Sequence, residues 1–162
     1  NPRSPVSCPH SRMMTLGAFL RGQQLAVIDP GSSVFEAARL MTERGIGAVP
    51  VVDGDRLVGI FTERDLMTRV VAAGLPPAQT SIRDVMSTDL VVADVGDECE
   101  EALARLQKAR VRHLLVLKES RLVGIVSLRD LIDRELADKD ETLALLNAYV
   151  HYIPADLNPK KT

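Results

Sequence analysis

Tryptophan is absent from these 162 residues, and phenylalanine and tyrosine bring the aromatics to only 3%. The core must therefore be aliphatic, and a base-stacking nucleic-acid surface would lack its usual platforms. Two cysteines, Cys8 and Cys99, are too few for a disulfide framework, so a reducing cytoplasm is the expected compartment. Neither sign of charge dominates. Twenty basic against 22 acidic residues leave a net charge of −2, which argues against nucleic acid as a partner. No apolar run approaches the roughly 20 residues that span a bilayer, so no membrane is expected. The histidines His10, His113 and His151 are scattered and suggest no Ser/His/Asp or Cys/His arrangement. Cys8-Pro9-His10 has too few neighbouring ligands for a structural metal. These absences point to a binding protein rather than an enzyme, with no required cofactor and no metal.

What is present is a folded, repetitive chain. Apolar residues make up 46% and charged residues 26%, a balance typical of packed domains. Shifting the sequence by 65 residues superposes Val27–Leu66 on Val92–Leu131 without a gap, with about one position in three identical. Arg56-Leu57-Val58-Gly59-Ile60 matches Arg121-Leu122-Val123-Gly124-Ile125, and Arg64-Asp65-Leu66 matches Arg129-Asp130-Leu131.

Each copy reads β-α-β-β-α. A short extended segment (Leu25–Asp29; Leu90–Ala93) leads into an amphipathic helix. Val34, Ala37, Ala38 and Met41 fall at i, i+3, i+4 and i+7, as do Cys99, Ala102, Leu103 and Leu106. Ser33 with Glu36 has capping-box spacing, and Gly45 suits a left-handed helix end. Aliphatic strands follow at 48–52 and 57–61, then at 114–117 and 122–126, with Asp53-Gly54-Asp55 as the first hairpin turn. Second helices are expected at 63–73 and 128–137, with the stripe Leu66, Met67, Val70 and Val71 chiefly in the core and part of it open to forming an interface.

The fold class is therefore α/β (α+β), two repeats related by pseudo-twofold symmetry. A unit of about 60 residues buries little on its own, so the repeats should pack together around a shared cleft. The expected divisions are an N-terminal extension or expression remnant at 1–14, repeats at 15–78 and 79–138, and a tail at 139–162. The apolar stretch Thr142–Pro154 of that tail should dock on the module or on a second subunit.

Chemistry concentrates where the last strand of each repeat meets a helix, at Gly59 to Asp65 and Gly124 to Asp130. Helix-start amides favour an anion. A hydroxyl there can bond phosphate, and a carboxylate one turn later can accept both vicinal hydroxyls of a ribose. The plain alternative is a helix cap, since Thr62 with Asp65 and Ser127 with Asp130 also have capping-box spacing. Recurrence at equivalent places favours a site.

Ile46-Gly47-Ala48-Val49-Pro50-Val51-Val52 and Arg112-His113-Leu114-Leu115-Val116, each followed by that glycine-to-aspartate stretch, resemble a tandem pair of cystathionine β-synthase (CBS) domains, or Bateman module. The resemblance covers about residues 20–137. It implies a regulatory module whose inter-repeat cleft takes AMP, ADP, ATP or a related adenosyl ligand, and which associates as a homodimer. An unidentified regulated protein would be a further partner.

Carried over by position, one ligand set comprises Ile60, Thr62 and Asp65 facing Val91, Val111, Arg112 and His113. The other comprises Ile125, Ser127 and Asp130 facing Ala26, Ile46, Gly47 and Ala48. The aspartates would hold ribose, the hydroxyls phosphate and the aliphatic residues adenine. Arg64, Arg112 and Arg129 are candidates for phosphate charge. Both motifs are intact, leaving room for two ligands of unequal affinity. Two other classes stand beside this reading: a regulatory fragment of a larger enzyme such as an IMP dehydrogenase-like protein, and a dimeric scaffold that binds no ligand. Short flanks of about 20 and 25 residues argue against an attached catalytic barrel.

Overall fold

The structure, a computed structural model, describes residues 14–137. The apolar tail stretch Thr142–Pro154 and most of the N-terminal extension lie outside the described residues.

A first short helix, α1 (Leu16–Phe19), precedes the first repeat. That repeat contains α2 (Val34–Arg44), β1 (Ala48–Asp53), β2 (Arg56–Thr62) and α3 (Glu63–Asp65), which runs on as a π-helix over Leu66–Val71. After α4 (Ile82–Val85) the second repeat supplies β3 (Val92–Asp94), α5 (Cys99–Ala109), β4 (His113–Lys118), β5 (Arg121–Ser127) and α6 (Leu128–Ala137).

The constant offset of 65 holds residue by residue in the sheets. Antiparallel β1–β2 pairs Ala48 with Thr62 and Pro50 with Ile60. Antiparallel β4–β5 pairs His113 with Ser127 and Leu115 with Ile125. Even the register shift recurs, after Val51 in one repeat and after Val116 in the other. In the second repeat β3 runs parallel to β4. The equivalent first-repeat segment is reduced to one parallel bridge, Ile28 to Val51.

Alternation along the strands creates two apolar faces. Val49, Val51 and Phe61 point towards α2 and join Val34, Ala37 and Met41 in the first core. Leu114, Val116 and Val126 join Ala102 and Leu106 in the second. The opposite faces meet each other. Buried Ala48, Ile60 and Leu115 form a third core with Leu57, Leu90, Leu122 and Ile125, drawn from both repeats. Each sheet is thus covered by helices on one side and by its twin on the other.

Packing crosses the order of the chain. Helix α1, which precedes the first repeat, sits on the second: Leu16 is fully buried in the second core, and the Leu16 amide donates to the Asp97 carbonyl at 2.8 Å. Reciprocally, Ile82 and Val85 of α4 belong to the first core, and the Ile82 amide donates to the Ser32 carbonyl at 2.9 Å. Gly59 and Gly124 permit this exchange. A β-carbon at Gly59 would collide with Met86, and one at Gly124 with Leu20.

Helix ends follow the sequence in the first repeat. Ser33 and Glu36 form the full capping box of α2, and Gly45 ends it at φ 63°. In the second repeat Arg110 takes that left-handed position at φ 55°, and Glu119 and Ser120 turn the β4–β5 hairpin at φ 49° and 65°.

The segment after Asp65 departs from expectation. Instead of continuing as an α-helix it widens, and the Ala72 amide bonds the Met67 carbonyl, five residues back. Val70 stays fully buried, whereas Met67 and Val71 are 61% and 65% exposed. These two belong to the surface rather than the core: each follows a core residue, Leu66 or Val70, by one position and so lies roughly a quarter turn further round the helix.

Candidate functional site

Both strand-to-helix junctions form, and they form differently. In the first, the Thr62 hydroxyl accepts the Asp65 amide at 3.1 Å, while Asp65 Oδ2 accepts the Thr62 amide and hydroxyl, each at 3.0 Å. Asp65 Oδ1 accepts the Ser87 hydroxyl at 3.0 Å, and Arg69 Nε lies 3.6 Å from it. The aspartate is only 6% exposed. In the second junction the Ser127 hydroxyl accepts the Asp130 amide at 3.0 Å, but Asp130 itself is exposed. The capping-box alternative is therefore realised fully around Asp65 and half realised around Asp130.

The loops ahead of β1 and β4 close onto the same junctions. Gly47 carbonyl accepts the Glu63 amide at 3.0 Å, and Arg112 carbonyl accepts the Leu128 amide at 2.7 Å. These bonds use helix-start amides expected to face an anion. Positive charge is left to side chains: Arg64 and Arg112 are exposed, and Arg129 makes only a loose 4.0 Å pair with Asp133.

Ile60, Ala48 and Ile125 come together in the inter-repeat core. Ile46 instead packs against the first helical core, and Val91 and Val111 against the second. Ala26 is half-buried ahead of Ile28. His113 lies opposite Ser127 across β4–β5. Burial lowers its pKa; Asp130 and Glu63 pull the other way, and Arg112 adds to the lowering. His113 thus feels the carboxylates of Asp130 in its own repeat and Glu63 in the other.

Three residues in this region escaped sequence reasoning. Glu63 places its carboxylate beside Gly47, where an added β-carbon would lie 3.4 Å from Cδ. Ser87 bonds Asp65, and its backbone exchanges two 2.9 Å hydrogen bonds with Ile60. Gln23 performs the matching task at Ile125 with its side chain, donating to the carbonyl at 2.8 Å and accepting from the amide at 3.1 Å. Glu63 lay inside the recognised Gly59–Asp65 stretch but has no counterpart at Leu128; Ser87 and Gln23 carried no repeat signal, because different residues do the two jobs.

Residues 22–72 and 82–137 match the family model of the CBS domain. The chain belongs to the CBS-domain family. The CBS pair is 36% identical over 124 residues to the CBS domain-containing protein YhcV of Bacillus subtilis, covering 76% of this chain and 88% of that one. A putative signal-transduction protein with CBS domains from Burkholderia ambifaria superposes with a TM-score of 0.73 at 31% identity, over 78% of this chain and 96% of that one. The inosine-5'-monophosphate dehydrogenase of Methanocaldococcus jannaschii is 37% identical over 114 residues, covering 69% of this chain but 22% of that enzyme. Among the described residues of the CBS pair, no helix is long and apolar enough to cross a membrane, and no three His, Cys, Asp or Glu residues cluster as metal ligands.

Proposed function

We propose that this CBS pair is a regulatory module that binds an adenine nucleotide (AMP, ADP or ATP) or a related adenosyl compound between its repeats, and that it is not itself an enzyme. The observation carrying the proposal is that the two strands leading into the hydroxyl–carboxylate junctions meet, through Ile60 and Ile125, in one shared aliphatic core. Aliphatic side chains suit the faces of adenine, a carboxylate suits vicinal ribose hydroxyls, and the exposed Arg64, Arg112 and Arg129 suit phosphate. Because the core belongs to both repeats, a ligand lodged there would bias their relative packing. That differential affinity for two arrangements is what a signal requires.

Exposed Met67 and Val71, with Phe35 at 51% and Leu75 at 40% exposure, favour association through helical surfaces, and a homodimer is the assembly proposed. The receiver of the signal would be a separate protein or a catalytic domain. The likeness to the dehydrogenase supports the second arrangement as an alternative. The test is calorimetry against AMP, ADP, ATP, S-adenosylmethionine and NADH, with light scattering on the same samples. Saturable binding of at least one adenosyl compound and a dimeric mass are expected. A panel without heat would refute the nucleotide reading and favour a scaffold that binds none of them.

A further inference from the structure

We infer that the CBS pair takes one nucleotide rather than two, in the half of the cleft served by Asp130, because Thr62 and Ser87 already occupy the buried carboxylate of the other half. The inference rests on the nucleotide reading above and adds to it which half works and what closes its twin.

Ribose recognition by a carboxylate requires its oxygens to accept two hydrogen bonds from outside the protein. Asp65 is short of both capacity and access: three of the roughly four lone-pair directions of its carboxylate are already used, leaving one where a pair of ribose hydroxyls needs two. Its Oδ2 already accepts two bonds from Thr62, its Oδ1 accepts the Ser87 hydroxyl, and Arg69 lies beside Oδ1. With 6% exposure, it meets a ribose only if the Ser87 hydroxyl gives up Oδ1 and the groups that cover the carboxylate shift. The Ser87 segment is held by backbone: the Ser87 amide and carbonyl are bonded to Ile60, and Ile82 and Val85, a few residues earlier, are buried in the first core.

The residue that takes the place of Ser87 in the other half is Gln23, whose side chain bonds Ile125 and not Asp130. Asp130 is exposed, and among the described residues no hydrogen bond or ion pair of its side chain is seen. The strand edge beside it, at Ile125, is covered by the Gln23 side chain rather than by backbone, and a side chain can rotate away without unfolding a core segment. Closure of one half and openness of the other therefore trace to one serine and its backbone anchor.

The experiment is calorimetry on the full chain with AMP and with ATP, for the parent, Asp65→Ala, Asp130→Ala and Ser87→Gly. The parent should bind one nucleotide per chain. Asp130→Ala should weaken that event about 10- to 150-fold, the loss expected for a charge-assisted hydrogen bond, while Asp65→Ala changes it by less than about threefold. Ser87→Gly should reveal a second, weaker event. Two nucleotides bound by the parent, or a loss confined to Asp65→Ala, would overturn the inference and leave the nucleotide reading standing. No binding to either the parent or Ser87→Gly would overturn both. If Asp65→Ala does not fold, the parent stoichiometry, Asp130→Ala and Ser87→Gly still decide the matter.

Discussion

Replacing each aspartate with alanine should separate the two junctions by stability alone, without any ligand. Asp65→Ala removes the acceptor of three hydrogen bonds, two from Thr62 and one from Ser87. The Thr62 hydroxyl can no longer be answered by a carboxylate, and the partly buried Ser87 hydroxyl loses its partner. Hydrogen bonds to a charged group contribute about 1.5–3 kcal/mol each, but they share one carboxylate whose burial is itself costly. The Arg69 contact adds little, since that arginine side chain is half exposed. A net loss of about 2–4 kcal/mol is expected. Asp130→Ala removes an exposed carboxylate and leaves the Ser127 hydroxyl to Asp130's own amide, so its cost should stay within about 0.5 kcal/mol. Urea unfolding followed by circular dichroism measures both. A double-mutant cycle of Asp65→Ala with Ser87→Ala should show coupling of about 1 kcal/mol. Equal losses at the two aspartates, or coupling near zero, would refute the account of an occupied and an open junction.

Arg110 holds the left-handed position that Gly45 holds in the first repeat, so Arg110→Gly should raise stability by roughly 1 kcal/mol, read from the urea midpoint at unchanged slope. Burial lowers the His113 pKa below the ordinary 6.5. The unfolded chain therefore binds more protons in the window between the two values, so this contribution is fully present above 6.5 and is lost as pH falls through the lowered value. Comparing the pH dependence of the parent with that of His113→Gln checks it, and the variant should lose less stability between pH 7.5 and pH 5. A larger loss in the variant would reverse the sign assigned to His113.

By itself, the sequence determined the repeat and the nature of each element. Aliphatic residues at helical and strand periods admit few other structures, and equal spacing forces equal register, which is why Val51 and Val116 occupy matching places in β1 and β4. The capping box at Ser33 and the left-handed end at Gly45 were legible for the same reason: each depends on residues within a few positions of one another. Both candidate junctions were visible as local patterns too. Their states were not. Whether an aspartate is closed or open depends on what the rest of the chain brings to it, and Ser87 reaches Asp65 across 22 residues while Gln23 reaches Ile125 across 102. The crossed packing of α1 and α4 was likewise invisible, because neither segment's composition names the repeat it will cover. The widening after Asp65 belongs with these, since its stripe reads equally well as α-helix. Tertiary structure decided those questions because hydrogen-bond partners and solvent exposure belong to neighbours in space, whereas periodicity and capping belong to neighbours in sequence.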